Sequence, residues 1–295
     1  MRVFLTGATG FIGSAIVGEL IGAGHQVLGF ARSDAAAASL EAVGVEVQRG
    51  ALEDLDSLKR GAQASDGVIH TAFIHDWSQF VANVETDRRA VEALIGALQG
   101  SGKPMVITSG SMMVAHGRPA TEQDAPASVE VPRAASEAMV LAAAGRGVRG
   151  SVVRLSPSVH GAGDHGFVPR LINIAREKGV SPYVGDGANR WPAVHRLDAA
   201  RLFRLALEHA EPGTRLHGVA EEGVPFRAIA EAIGADLGVP VRSLTEDEAS
   251  VHFGFLARFV ATDNPTSSAI TRRSLGWQPQ GPDLLTDMRD NGYFA

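Results

Sequence analysis

The stretch Val3-Phe4-Leu5-Thr6-Gly7-Ala8-Thr9-Gly10-Phe11-Ile12-Gly13 decides the fold. A short apolar run ends in Thr-Gly, glycines recur at Gly7, Gly10 and Gly13, and Phe11 to Ala23 reads as a helix stopped by Gly24. A glycine triplet alone is a weak signal, but one that follows a strand and opens a helix is informative. The first glycine permits a tight turn, the second lets the backbone approach a pyrophosphate, and the third lets helix and strand pack closely. The free N–H groups and positive dipole end of the helix then suit phosphate. The competing reading is an ordinary glycine-rich turn.

Outward from this loop, strand-like and helix-like segments alternate. Strands are expected at 26–31, 45–48, 67–70, 105–108 and 151–155, and helices at 35–43, 55–63, 85–98 and 134–144. Such alternation implies a parallel sheet covered by helices on both faces. The expected class is therefore α/β: a Rossmann-like, doubly wound parallel sheet with a smaller C-terminal substrate lobe. After about residue 160 the rhythm changes. Gly161 to Gly166 reads as a loop, and helices are expected at 168–178, 199–210 and 226–237. The division expected is a dinucleotide-binding domain at 1–160 and a substrate lobe at 161–295, which is free to return segments to the sheet.

The end of the second strand bears on which dinucleotide binds. An acidic residue there would accept the ribose 2′-hydroxyl of NAD. This chain has Phe30-Ala31-Arg32-Ser33 instead. A guanidinium beside a hydroxyl suits a 2′-phosphate, so NADP(H) is the expected cofactor. Asp34 keeps NAD open, and a solvated surface arginine is the plain alternative for Arg32.

Composition excludes several function classes. The 295 residues carry 27 basic and 33 acidic side chains, a net charge of -6 that argues against a nucleic-acid partner. There is no cysteine, so disulfides, thiolate zinc sites, iron–sulfur clusters and cysteine nucleophiles are excluded; no metal site is expected. No apolar run approaches the roughly 18 residues of a membrane helix, and the N-terminus lacks a signal-peptide pattern. A soluble, cytoplasmic protein without a membrane partner is expected. Three lysines stand against 24 arginines, which suggests a GC-rich bacterial genome.

Taken together, the glycine loop and the strand–helix order resemble those of an extended or atypical short-chain dehydrogenase/reductase, the superfamily that includes nucleotide-sugar epimerases and dehydratases. The resemblance covers about residues 1–210. Gly50-Ala51-Leu52 sits where such proteins have Gly-Asp-Leu near the adenine. His70-Thr71-Ala72-Phe73 matches the end of the strand that passes the cofactor. Leu155-Ser156-Pro157-Ser158-Val159-His160-Gly161 resembles the segment that holds the nicotinamide amide. Val194-His195-Arg196-Leu197-Asp198 resembles a stretch before a helix, with Asp198 placed to cap a helix from Ala199. The resemblance implies cofactor contacts at Gly7, Thr9, Gly10, Phe11, Ile12, Gly13, Arg32, Ser33, Leu52, Ala72, Phe73, Ser109, Pro157, Ser158 and Val159. Relatives often dimerise through helices that correspond to 85–98 and 134–144, so a homodimer is a further expectation.

The same resemblance implies a Ser or Thr followed by Tyr-x-x-x-Lys. Ser111 falls at the serine place, but Arg133 occupies the tyrosine position and Glu137 the lysine position. The only tyrosines are Tyr183 and Tyr293, and neither starts a Tyr-x-x-x-Lys. Asp87 lies where the active asparagine would be. The candidate catalytic set is thus Ser111, Glu137, Arg133 and Asp87. Arg133 is no general acid, because a guanidinium does not give up its proton in proteins, yet its fork suits a carboxylate or phosphate. Against this stands a plain helical salt bridge between Arg133 and Glu137. Glu137 has two functional readings, a ribose acceptor or a buried acid of raised pKa. His116, His160 and Tyr183 are weaker candidate acids, and Trp77 and Phe80 are candidate pocket walls.

Three readings follow. The first is an NADPH-dependent oxidoreductase that reduces a small C=O or C=N substrate through an altered site. An iminium is already activated and needs no tyrosine acid. The second is a nucleotide-sugar epimerase or dehydratase, and the third a non-catalytic NADP(H) sensor.

Overall fold

The computed structural model describes residues 1–114, 117–126 and 133–294, without the side chain of Trp77. The first half runs β1 (Arg2–Thr6), α1 (Phe11–Gly22), β2 (Gln26–Ala31), α2 (Asp34–Glu41), β3 (Glu46–Arg49), α3 (Leu55–Gln63), β4 (Gly67–His70), α4 (Phe80–Leu98), β5 (Pro104–Gly110), α5 (Ala134–Ala142) and β6 (Arg149–Leu155). The second half runs β7 (Ser158–His160), α6 (Phe167–Lys178), β8 (Ser181–Val184), β9 (Arg190–His195), α7 (Arg196–His209), β10 (Thr214–Gly218), β11 (Glu221–Pro225), α8 (Phe226–Leu237), β12 (Val241–Leu244), α9 (Glu246–Phe253), α10 (Ala257–Val260), α11 (Ala269–Leu275) and α12 (Leu284–Asp290).

Seven parallel strands form the central sheet in the order β10-β6-β5-β4-β1-β2-β3. The chain winds outward from β1 in one direction through β2 and β3, and in the other through β4, β5, β6 and β10. The reversal between β1 and β4 opens a crevice at the carboxyl ends of the strands, where such sheets bind ligands. This is the Rossmann-like, doubly wound architecture expected.

Alternation along β1 sorts the two cores. Val3 and Leu5 face Ile16, Leu20, Phe203 and Leu207, whereas Phe4 faces Leu58, Val91, Leu94 and Leu98. The first core therefore contains residues from beyond 160: α7 covers one face beside α1, and β10 closes the edge next to β6. The remaining C-terminal segments form a separate core around Trp191, Phe226, Phe253, Leu256, Leu284 and Met288, with two small sheets, β11-β9-β7 and β12-β8. No helix among the described residues is long and apolar enough to cross a membrane.

Two helices start earlier than the sequence pattern suggests. The α4 helix begins at Phe80, because Asp76 caps a preceding turn by accepting the Ser78 N–H at 2.9 Å. The α7 helix begins at Arg196, with His195 at its cap. Asp198 consequently lies inside the first turn, not ahead of it. Its carboxylate accepts the backbone N–H groups of Gln280 and Gly281 at 2.9 and 2.7 Å, so it anchors the C-terminal segment rather than capping its own helix.

Candidate functional site

The glycine loop lies at the end of β1 and leads into α1. Gly7 has φ +72°, and a Cβ there would meet Thr71 Oγ1 at 2.7 Å and the Ala72 nitrogen at 2.8 Å. A Cβ on Gly13 would lie 2.0 Å from the Gly7 carbonyl oxygen. Both positions exclude side chains, for backbone conformation at the first and close helix–strand approach at the second. Gly10 occupies the N-cap of α1, where no side chain caps the helix. The first-turn N–H groups thus remain available to an anion. Thr9 and Gly10 are exposed, and Phe11 and Ile12 half-buried. Arg196 stacks over Phe11 at 4.7 Å, donates to Ser14 Oγ at 3.0 Å, and donates to the Ala162 carbonyl at 2.7 Å. It ties the 161–166 loop to the first turns of α1. These observations fit a dinucleotide pyrophosphate at the loop.

At the end of β2, Arg32 and Ser33 are exposed. The Ser33 hydroxyl accepts the Ala36 N–H at 3.2 Å and caps α2. Asp34 forms an ion pair with Arg49, at the end of β3, at 2.8 Å. Arg32 has no ion-pair partner among the described residues. Leu52, after β3, is buried beside Phe30 in the second core.

The altered catalytic positions converge at the ends of β4 and β5. Arg133 is the only described non-glycine residue with positive φ, at +67°, and it precedes α5. That conformation is strained for a side chain with a Cβ. Its guanidinium lies over the Phe73 ring at 4.7 Å, donates to the Thr108 carbonyl at 2.7 Å, and lies 3.6 Å from Asp87. Its Nε is buried with no hydrogen-bond partner. Asp87 is fully buried; Ser136 donates to it at 2.7 Å, and His70 Nε2 lies 3.4 Å away. The other His70 nitrogen shares a 2.8 Å hydrogen bond with Thr6. Burial works to raise the Asp87 carboxyl, but the His70 hydrogen bond and the Arg133 charge outweigh it and hold it below the usual value. A polar chain therefore runs from Thr6, just before the glycine loop, through His70 and Asp87 to Arg133.

Glu137 is turned to neighbouring arginines. It is buried, and Arg154 grips both of its oxygens, through Nε at 3.0 Å and through Nη2. Arg215 donates to it at 3.0 Å and Ser109 at 3.2 Å. With those four bonds made, no oxygen is left for a ribose. The helical salt bridge with Arg133 is not formed either: one residue turns to Asp87, the other to the arginines of β6 and β10. Ser109, expected near the cofactor, spends its hydroxyl on Glu137 and Met113. Ser111 is fully buried and donates to Asn264 Oδ1 at 2.9 Å, while the Asn264 amide returns a bond to the Ser111 carbonyl at 3.2 Å.

Ala72 and Phe73 follow β4 beside the loop, and Pro157, Ser158 and Val159 follow β6. The Ser158 and Thr108 hydroxyls are buried without partners. Tyr183 packs under Arg227 at 5.3 Å in the C-terminal core. His160 is buried against Asp287 at 2.8 Å. Phe80 meets the Phe73 ring edge-on at 6.1 Å. His116 and the Trp77 side chain lie outside the described residues.

Comparison with known proteins settles the family. The model of the NAD dependent epimerase/dehydratase family matches residues 3–217. The chain belongs to that family. The uncharacterized protein C2A9.02 of Schizosaccharomyces pombe is 50% identical over 295 residues, covering 100% of both chains. This yeast relative gives no support to the bacterial source suggested by composition. A 2-alkyl-3-oxoalkanoate reductase of Stenotrophomonas maltophilia is 30% identical over 81% of this chain and 77% of its own. Among solved structures, a dTDP-glucose 4,6-dehydratase double mutant of Streptomyces venezuelae matches with a TM-score of 0.78 at 20% identity, covering 99% of this chain and 98% of that one. That likeness concerns the fold alone.

Within this epimerase/dehydratase fold, sequence reasoning did not anticipate the Thr6–His70–Asp87 chain, the Arg154 and Arg215 grip on Glu137, or the Ser111–Asn264 pair. Arg154 did leave a signal, as a lone charge inside the apolar run 151–155. Asn264 left none, because it lies 153 residues from Ser111.

Proposed function

We propose that this family member is an NADP(H)-dependent oxidoreductase that reduces the carbonyl group of a small substrate, with Arg133 in the place of the missing tyrosine. The observation that carries this reading is the Arg133 guanidinium, strained into the cleft with a buried Nε that lacks a partner. The glycine loop and the uncapped start of α1 would hold the pyrophosphate, and Arg32 the 2′-phosphate. The Asp34–Arg49 pair supports NADP over NAD, since it neutralises the one carboxylate that competes for that place. The dinucleotide supplies a hydride when bound.

The remaining work falls to the protein. As carbon accepts hydride, negative charge grows on the carbonyl oxygen. A fixed guanidinium stabilises that charge without giving up a proton. Asp87, held by His70 and Ser136, orients the guanidinium. The Thr108 carbonyl and the Phe73 face fix its plane. The product oxygen takes its proton from solvent at the mouth of the cleft. The same guanidinium disfavours a cationic iminium, so C=O is the better substrate than C=N. The relative named as a 2-alkyl-3-oxoalkanoate reductase supports the carbonyl reading.

The test is NADPH consumption against a panel of ketones, aldehydes and cyclic imines, with NADH beside it. Turnover of ketones or aldehydes, faster with NADPH, is expected. Saturable NADPH binding without turnover on any class would favour the sensor, and tightly retained NAD the epimerase.

A further inference from the structure

The 161–166 loop lies against the residue that opens α1. Its His165 ring meets Phe11 edge-on at 5.7 Å, and Phe11 directly follows Gly10, the uncapped N-cap of that helix. Whatever holds this loop therefore holds one side of the place where a pyrophosphate would sit. Gly161, Gly163 and Gly166 make up half of the loop, so ordering it is costly in conformational entropy. Its shape is fixed from outside. One anchor is Arg196, which donates to the Ala162 carbonyl at 2.7 Å and to Ser14 Oγ at 3.0 Å. The other is Tyr293, from the segment after α12. Its hydroxyl accepts the Gly161 N–H at 2.9 Å and donates to Asp164 Oδ2 at 3.0 Å. Asp164 Oδ1 in turn accepts the Gly166 N–H at 2.7 Å. One phenol thus bridges the first residue of the loop and, through Asp164, the last.

The segment that carries Tyr293 is itself held. Asp287 on α12 pairs with the buried His160 at 2.8 Å, and Asn291 donates to the other oxygen of Asp287. The Phe294 carbonyl accepts from Arg176 on α6 at 3.2 Å. The Tyr293 ring packs against the C-terminal core. Packing needs only that ring, whereas the hydroxyl is spent on two groups of a loop 129 and 132 residues earlier in the chain. We propose that Tyr293 is a positioning residue for the dinucleotide: its hydroxyl straps the 161–166 loop against Phe11, and the strapped loop slows escape of the cofactor from the glycine loop. Contacts that close over a bound ligand act mainly on its release rate. The proposal rests on the reading of the glycine loop as a dinucleotide site, and is independent of the substrate reduced there.

The test is stopped-flow binding and release of NADPH, followed by its fluorescence, on the full chain and on Tyr293→Phe. Phenylalanine keeps the ring in the core and removes only the hydroxyl, so the variant is expected to fold. Release should quicken by about three- to tenfold, the scale of one or two lost hydrogen bonds, while association changes little. Asp164→Ala breaks the same link from the loop side. It should quicken release as well, and the double variant should release no faster than the quicker single one. Hydrogen exchange of the free protein is read alongside, and the Gly161 amide should exchange faster in Tyr293→Phe. Faster exchange at Gly161 with an unchanged release rate would overturn the proposal, because the loop would then be freed without effect on the cofactor. Unchanged exchange there would also overturn it, because the hydroxyl would not be holding the loop. A wild-type protein that binds neither NADPH nor NADH would overturn the dinucleotide reading itself, and the strap with it.

Discussion

Glu137 and Arg154 form a buried ion pair that joins α5 to β6, with Arg215 of β10 on the same carboxylate oxygen as Arg154 Nη2. The arginine lies inside a strand whose other residues are almost all buried. This pair fixes the helix that follows Arg133, and so sets where the Arg133 guanidinium points.

Removing one partner of such a pair leaves an uncompensated buried charge. Glu137→Ala should therefore destabilise the fold by about 3–5 kcal/mol, because Arg154 has no other carboxylate among the described residues. Urea unfolding measures the loss. A group working mainly in catalysis would instead lower turnover at unchanged stability.

Arg133 carries the opposite signature. Glycine at this position relieves the left-handed backbone by about 1 kcal/mol, but it also takes the guanidinium away from the buried Asp87 carboxylate, so the two effects oppose and Arg133→Gly should change stability little. It should also lose about a hundredfold in kcat, the scale of removing one group that stabilises a developing oxyanion. Lysine should not restore the activity, since an ammonium lacks the fork that meets Thr108 and Asp87 together. Paired unfolding and kinetic measurements on both variants check this.

Gly13→Ala tests the cofactor loop. Its Cβ would lie 2.0 Å from a backbone oxygen, so β1 and α1 must part. A cost of about 1–3 kcal/mol is expected, with weakened dinucleotide binding measured by quenching or enhancement of NADPH fluorescence.

Arg32→Glu tests the cofactor choice. Replacing the guanidinium by a carboxylate removes one charge-assisted contact and adds repulsion, so NADPH affinity should fall by at least about tenfold while NADH affinity holds or rises. Equal losses for both would place Arg32 outside the 2′-phosphate site.

The pH dependence of stability follows from two buried histidines. Burial lowers His160 below its usual 6.5 despite the opposing bond to Asp287, and lowers His217 despite the Ser267 carbonyl. The unfolded chain therefore binds more protons than the fold once pH drops below 6.5. The stability held at neutral pH is lost as pH falls from 6.5 toward the folded values. Urea midpoints at about pH 7.5 and about pH 5.5 should show the decline, and His217→Asn should reduce it.

The first half of the fold was legible because most strands there are short, largely apolar runs set between helical periods, while β3 shows itself by alternation around Val45 and Val47. The glycine loop added its own geometry, since Gly7 and Gly13 admit no side chain. The strands of the C-terminal lobe were not anticipated: β8, β9 and β11 contain proline, and β7 is three residues long, so neither length nor alternation marks them. At the site, the loss of the tyrosine and lysine was plain from the sequence, but the roles of their replacements were not. Spacing alone made Arg133 and Glu137 partners at i and i+4. The left-handed turn at Arg133 sends it to Asp87, while Glu137 meets arginines from strands that lie 17 and 78 residues further along.

The most direct test follows the hydride. NADPH carrying deuterium on the transferring face of its ring would be incubated with an oxo substrate and the wild-type protein, and the product weighed by mass spectrometry. One deuterium in the alcohol for each NADPH oxidised is the expected result. A product formed without net oxidation of NADPH, or unlabelled alcohol, would contradict the reductase reading.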